Sequence, residues 1–300
     1  MGQAFWWAVS ASLALSFGTA PALAQHAEIE RAEFLPSTPW NIDYADESCA
    51  LARRFTDGER DVWFELRGVA PVDRVRLTVG TDRLGTTQDD PHISIYPGRE
   101  PLTPPARFIE GQGDIANAFV TTVSLNSFRI RGNPPAAEGP QRDDDEELRV
   151  DRPAVAGVQI AGAFDETVVL QTGAMEAALN ALDACMADLV STWGIDHAAL
   201  ADVAIRPSPR DREEWEPMVQ RHYPRTGHRP SRNTSFSIVL LIDPEGRVAR
   251  CVSPNALGDE DFLQVACAAL SQYATFDPAR TMDGRPTYGF WSTGMVYGVY

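Results

Sequence analysis

The chain predicts an α+β fold: an N-terminal, mainly antiparallel β domain with a packed helix, then a small C-terminal sheet with one face-packing helix. Three observations carry that class. Residues 40–172 mostly alternate apolar and polar side chains with period two, the pattern of half-buried antiparallel strands. Met175, Leu179, Leu182, Met186, Leu189 and Trp193 then recur at spacings of 4, 3, 4, 3 and 4, one stripe of a helix. The final segment, 216–300, reads strand, strand, helix, strand.

The balance of charge narrows the partners. Lys plus Arg number 26 against 42 Asp plus Glu, a net charge of −16. A nucleic-acid partner is therefore not expected, because a phosphate backbone requires a positive surface. A polybasic lipid-binding patch is disfavoured for the same reason. All the basic side chains are arginine, which excludes a lysine Schiff base and a P-loop.

Taken in order, residues 1–24 predict a signal peptide. Positions 4–24 are apolar and uncharged and end in Pro21-Ala22-Leu23-Ala24, a small-x-small pattern just before Gln25. The alternative is an uncleaved inner-membrane anchor, since about 20 apolar residues span a bilayer. No later segment is long and apolar enough to cross one, so no membrane span is expected after cleavage.

Residues 25–172 form the β-rich domain. Val62, Phe64 and Leu66 alternate with Asp61, Glu65 and Arg67, and Val75, Leu77 and Val79 with Arg74, Arg76 and Thr78. Segments 93–96, 119–125, 155–160 and 167–170 predict further strands. The run Asp143-Asp144-Asp145-Glu146-Glu147 lacks the spaced carboxylates of a calcium loop and reads as a solvated loop. Residues 173–215 supply the amphipathic helix, closed by Gly194, and a connector marked by Pro207, Pro209 and the tract Arg210-Asp211-Arg212-Glu213-Glu214.

Export makes the cysteines legible. Four are present, and four allow three pairings in an oxidising compartment. Cys251 and Cys267 fall within one C-terminal unit and are expected to pair, leaving Cys49 with Cys185. Buried free thiols are the competing reading.

In the C-terminal segment, residues 234–243 and 247–253 predict a hairpin around Pro244-Glu245-Gly246. Phe262, Ala266, Ala269, Leu270 and Tyr273 line a helix, and residues 287–297 supply a last strand. Tyr223-Pro224, Ile242-Asp243-Pro244-Glu245-Gly246-Arg247-Val248, the helix 261–270, Phe276-Asp277-Pro278-Ala279-Arg280 and Gly284-Arg285-Pro286 follow one another in a telling order. This segment resembles the C-terminal domain of TonB, the periplasmic energy-coupling protein of Gram-negative bacteria. The resemblance covers roughly 215–300 and implies a periplasmic location. It implies capture of an extended segment of an outer-membrane TonB-dependent transporter, or of another envelope protein, by strand addition at a sheet edge. It places that edge on the last strand, at Trp291, Thr293, Met295 and Tyr297, with Tyr223 and Pro224 nearby. The same aromatic-rich ending also suits ordinary core and edge capping.

No catalytic constellation stands out. Leu170-Gln171-Thr172-Gly173-Ala174 is near an aspartic-protease motif, but Gln171 replaces the carboxylate, and a neutral amide cannot share a proton with a partner carboxylate. No Gly-x-Ser-x-Gly elbow or His-Glu-x-x-His helix occurs. His26, His92, His197, His222 and His228 are scattered. The expectation is a non-enzymatic, cofactor-free recognition module. The alternatives are a membrane-anchored TonB-type transducer and an envelope hydrolase with a site in the β-rich domain. Against the transducer, the apolar segment holds no polar contact for an inner-membrane motor, and no long Pro-rich linker follows it.

Overall fold

Alternating side chains along the N-terminal half build one large, curled sheet. The structure, a computed structural model, describes residues 31–96, 101–110, 114–125, 157–196, 200, 202–222, 234–254 and 260–297. Residues 1–24, expected to be a signal peptide, the acidic run at 143–147, Tyr223, Pro224, His26, His197 and His228 lie outside these residues.

The N-terminal strands are β1 (Arg31–Pro36), β2 (Asn41–Ala45), β3 (Ser48–Thr56), β4 (Asp61–Gly68), β5 (Arg74–Thr81), β6 (His92–Tyr96), β7 (Arg107–Glu110), β8 (Asn117–Ser124), β9 (Gly157–Ala161) and β10 (Thr167–Leu170). They are ordered β6-β9-β10-β1-β3-β4-β5-β8-β7, with β2 beside β3. β1 explains the curl. Its residues Arg31 to Phe34 pair in parallel with β10, whereas Leu35 and Pro36 pair antiparallel with β3. One strand thus serves both halves of the sheet. Phe34, Phe55, Phe64, Phe119, Leu51, Leu66, Leu77 and Ile160 meet in the core between them.

α1 (Glu176–Thr192) closes this core with Leu179, Leu182, Met186 and Leu189, the stripe read from the sequence. Gly68 at the end of β4 makes room for it, because a Cβ there would come within 2.2 Å of Met186 Sδ. Gly194, at φ +79°, ends the helix in the left-handed region. Cys185 reaches from α1 to Cys49 on β3, and the two form a disulfide.

The C-terminal sheet consists of β13 (Thr234–Ile242), β14 (Val248–Val252) and β18 (Gly289–Tyr297), ordered β14-β13-β18. Ile238, Leu240 and Ile242 face α3 (Glu260–Tyr273) through Phe262, Ala266, Ala269 and Leu270. A second disulfide, Cys251–Cys267, joins β14 to α3.

The connector carries more structure than its composition suggests. Val203–Ile205 (β11) pairs with Ala279–Thr281 (β16), which also pairs with Pro286–Thr287 (β17). Ser208–Arg210 (β12) pairs with Thr275–Asp277 (β15). The charged tract opens α2 (Arg212–Arg221), whose Trp215 and Val219 lie four apart and enter the C-terminal core. Its charges are the wet side of that helix, tied by the Arg212–Glu216 pair.

One polar row departs from half-buried alternation. Glu65 and Arg76, on the sheet face away from the core, are only 9% and 8% exposed. Arg76 donates to Glu65 Oε1 at 2.7 Å, and Arg67 reaches both carboxylate oxygens at 3.0 and 3.1 Å. Burial pushes the Glu65 carboxyl up, but the two guanidiniums together outweigh it and hold it below the usual range.

Two outcomes follow for stability. A depressed carboxylate stabilises fully above its unfolded pKa, and that share disappears as pH falls through the folded one. Glu65→Gln should therefore blunt acid sensitivity and cost about 3–5 kcal/mol, because Arg76 keeps its burial and loses its counter-charge. Urea unfolding from about pH 3 to pH 7 measures both effects. The disulfides should also separate. Cys49 and Cys185 are each 1% exposed, whereas Cys251 and Cys267 are only half-buried. Mild reductant with an alkylating trap should label Cys251 and Cys267 first, and replacing both with serine should cost about 3 kcal/mol.

Candidate functional site

β18 is where the C-terminal sheet ends. It pairs with β13 from Thr234↔Tyr297 to Ile242↔Gly289 and has no second strand beside it among the described residues. In an antiparallel ladder, alternate residues exchange N–H and C=O groups with the partner, and those between direct theirs outward. Among the described residues, no backbone hydrogen bond from another segment reaches that outer edge. Among the described residues, the outer edge is a row of main-chain donors and acceptors without a backbone partner.

Side chains on a strand stand on its two faces rather than along its edge. Trp291 and Met295 take the α3 face. The Trp291 ring meets Phe276 edge-on at 5.2 Å, and Phe276 meets Trp215 at 6.2 Å. Met295 is 5% exposed in the same cluster, and Thr293 sits between them, half-buried. The resemblance singled these residues out as an edge, and their side chains belong to its support.

The opposite face meets the N-terminal domain. Val239, Leu241, Val252 and Phe290 pack against Val69, Ala70 and Val72 after β4, and against Val190, Trp193 and Ile195 at the end of α1. Arg250 of β14 holds its guanidinium 4.4 Å from the Trp193 ring centroid and pairs with Glu47 at 3.1 Å. Ser237 Oγ approaches Thr122 Oγ1 of β8 at 3.4 Å. Past Phe290 the joint gives out: Ser292 and Gly294, on the same face, are exposed.

Sequence reading missed this joint, although a signal was present. Ile238-Val239-Leu240-Leu241-Ile242 is a continuous apolar run, as strands buried on both faces have, and Phe290 beside Trp291 repeats it on β18.

The remaining candidates do not converge. His92 lies on β6 against Thr103, while His222 ends α2 with its Nδ1 on the Met218 carbonyl and its ring 5.2 Å from Tyr273. Gln171 uses its backbone N–H on the Phe34 carbonyl at 3.0 Å. Among the described residues no group of three His, Cys, Asp or Glu side chains gathers, and no helix is long and apolar enough to cross a membrane.

No family model, curated protein or solved structure matches the chain.

The packing of β18 predicts how its residues respond to truncation. Trp291→Ala and Met295→Ala should each lower stability by about 3 kcal/mol in chemical denaturation. A purely ligand-facing role would leave the unfolding midpoint unchanged.

Proposed function

We propose that the chain is an exported periplasmic protein whose C-terminal unit, similar to a TonB C-terminal domain, recognises an extended peptide by strand addition. The partner would be an outer-membrane TonB-dependent transporter or another envelope protein. The observation that supports this reading is that β18, at the end of a three-stranded sheet, has no second strand beside it among the described residues. A fourth strand would satisfy its outward N–H and C=O groups and extend a surface already packed on α3 and on the N-terminal domain. The reaction is binding alone; no cofactor enters it.

Two further features fit. A pair of disulfides suits an oxidising compartment. Main-chain recognition also accommodates variable partner sequences, because backbone hydrogen bonds supply affinity whatever the side chains are.

Titration of the mature protein with transporter N-terminal peptides should give binding in the micromolar range, about −8 kcal/mol. Methylating alternate peptide nitrogens removes the donors a ladder needs and should abolish it. Equal affinity for the methylated peptide would defeat the strand-addition reading.

A further inference from the structure

β14 is lightly attached to its own unit, yet it carries the charged part of the joint. Among the described residues it pairs with β13 alone, from Val239↔Val252 to Ile242↔Val248. The register shifts between Leu241 and Ile242, leaving Ala249 as one extra residue on the β14 side. That bulge sorts the side chains. Val248 and Cys251, three apart, both take the α3 face, whereas Arg250 and Val252 face the N-terminal domain.

Each face of β14 is then fixed by specific contacts. On the α3 side the tie is the Cys251–Cys267 disulfide. On the other, Arg250 lies 4.4 Å from the Trp193 ring centroid and pairs with Glu47 at 3.1 Å, while Val252 packs with Val69 and Ala70. Arg250 Nε and Trp193 Nε1 are buried there and find no hydrogen-bond partner among the described residues. Orphaned buried donors oppose this arrangement, so it depends on β14 being held in place.

The two disulfides differ in access. Cys49 and Cys185 are each 1% exposed, in the core closed by α1. Cys251 and Cys267 are half-buried, on the last strand of the sheet and the helix beneath it. Thiol–disulfide exchange requires a thiolate to reach a sulfur, which favours the second pair.

We propose that Cys251–Cys267 is a redox latch on the joint: a dithiol opens it, β14 loosens, and Arg250 leaves Trp193 while the α3 core stays folded. The latch goes beyond strand addition and does not depend on it. A thiolate of the dithiol attacks one sulfur, the S–S bond breaks, and the other cysteine leaves as a thiolate. The second thiol of the reagent then resolves the mixed disulfide. Two electrons pass to the protein, its cysteines take up the two thiol protons, and the reagent ends as a cyclic disulfide. The core outlasts this step because Phe262, Ala266 and Leu270 still pack on β13, whose nine residues all pair with β18. Val239, Leu241 and Phe290 also stay in the joint, so the units loosen on one side rather than part.

The experiment uses the full mature protein, dithiothreitol as the dithiol, alkylation to count thiols, and hydrogen exchange read by mass spectrometry. With Cys251 and Cys267 reduced and Cys49–Cys185 intact, residues 248–252 and 190–196 should exchange roughly tenfold faster. Residues 236–242 and 262–270 should stay unchanged, and reoxidation should restore the slow pattern. Cys251→Ser with Cys267→Ser should show the fast pattern without reagent. Arg250→Gln, with the disulfide closed, should speed 190–196 while leaving 248–252 slow. If Cys49–Cys185 is reduced equally fast, the selectivity is refuted and the latch with it. If 236–242 and 262–270 open together with 248–252, the disulfide is a staple of the whole unit and no latch. Unchanged exchange at 190–196 on reduction overturns the coupling to the joint.

Discussion

β13 lies between two cores, and the arrangement of the C-terminal half depends on that. Ile238, Leu240 and Ile242 fill the space under α3, and Val239 and Leu241 fill the space against the N-terminal domain. A three-stranded sheet with two short helices buries little apolar surface alone, so the second face adds stabilisation that a unit of this size needs. The same burial gives β18 its orientation. An edge strand on a free-hanging module could be approached from any side; this one has a wall along part of one face.

Constraint passes through the joint along a traceable route. Cys49–Cys185 ties α1 to β3, and α1 delivers Trp193 and Ile195 to the contact. Arg250 lies over Trp193, and its chain neighbour Cys251 ties β14 to α3. Each disulfide pins a helix to a strand, and the cation–π contact links the two pinned pairs. That contact has a cost. Arg250 Nε and Trp193 Nε1 are buried with no hydrogen-bond partner, and the stacking and the Glu47 pair offset it. Arg76 shows the same tension, since its Nε is buried without a partner while its Nη2 serves Glu65.

Local signals were easy to read where one physical cause dominated. The 4-3 stripe of α1 was visible because only its core face is apolar, and Gly194 because its φ excludes most other residues. Both cysteine pairings could be argued from the position of Cys251 and Cys267 within one unit. Long-range features were harder. Nothing in β1 announces that it pairs with β10 at one end and β3 at the other, because pairing depends on where the sheet curls. Glu65 and Arg76 read as solvent-facing because period two separates the faces without saying which is covered. The charged opening of α2 disguised a helix whose inward residues, Trp215 and Val219, are too few to dominate its composition. For the candidate edge, the residue pattern at 287–297 indicated a strand. Only coordinates could divide its residues between Trp291 and Met295, which face the core, and Ser292 and Gly294, which face outward.

An edge nine residues long, with no second strand beside it among the described residues, is also a hazard, because two copies could pair through it. Features of β18 itself weaken self-pairing. Its outward-facing residues, Ser292 and Gly294, are small and offer little apolar area to a second copy. A net charge of −16 makes copies repel one another at low ionic strength. Phe290, the large apolar side chain on that face, is committed to the joint. What remains there, among the described residues, is backbone hydrogen bonding with few side chains to add apolar contact. Small residues at 292 and 294 therefore leave a second copy little apolar area to bury at this end of the strand.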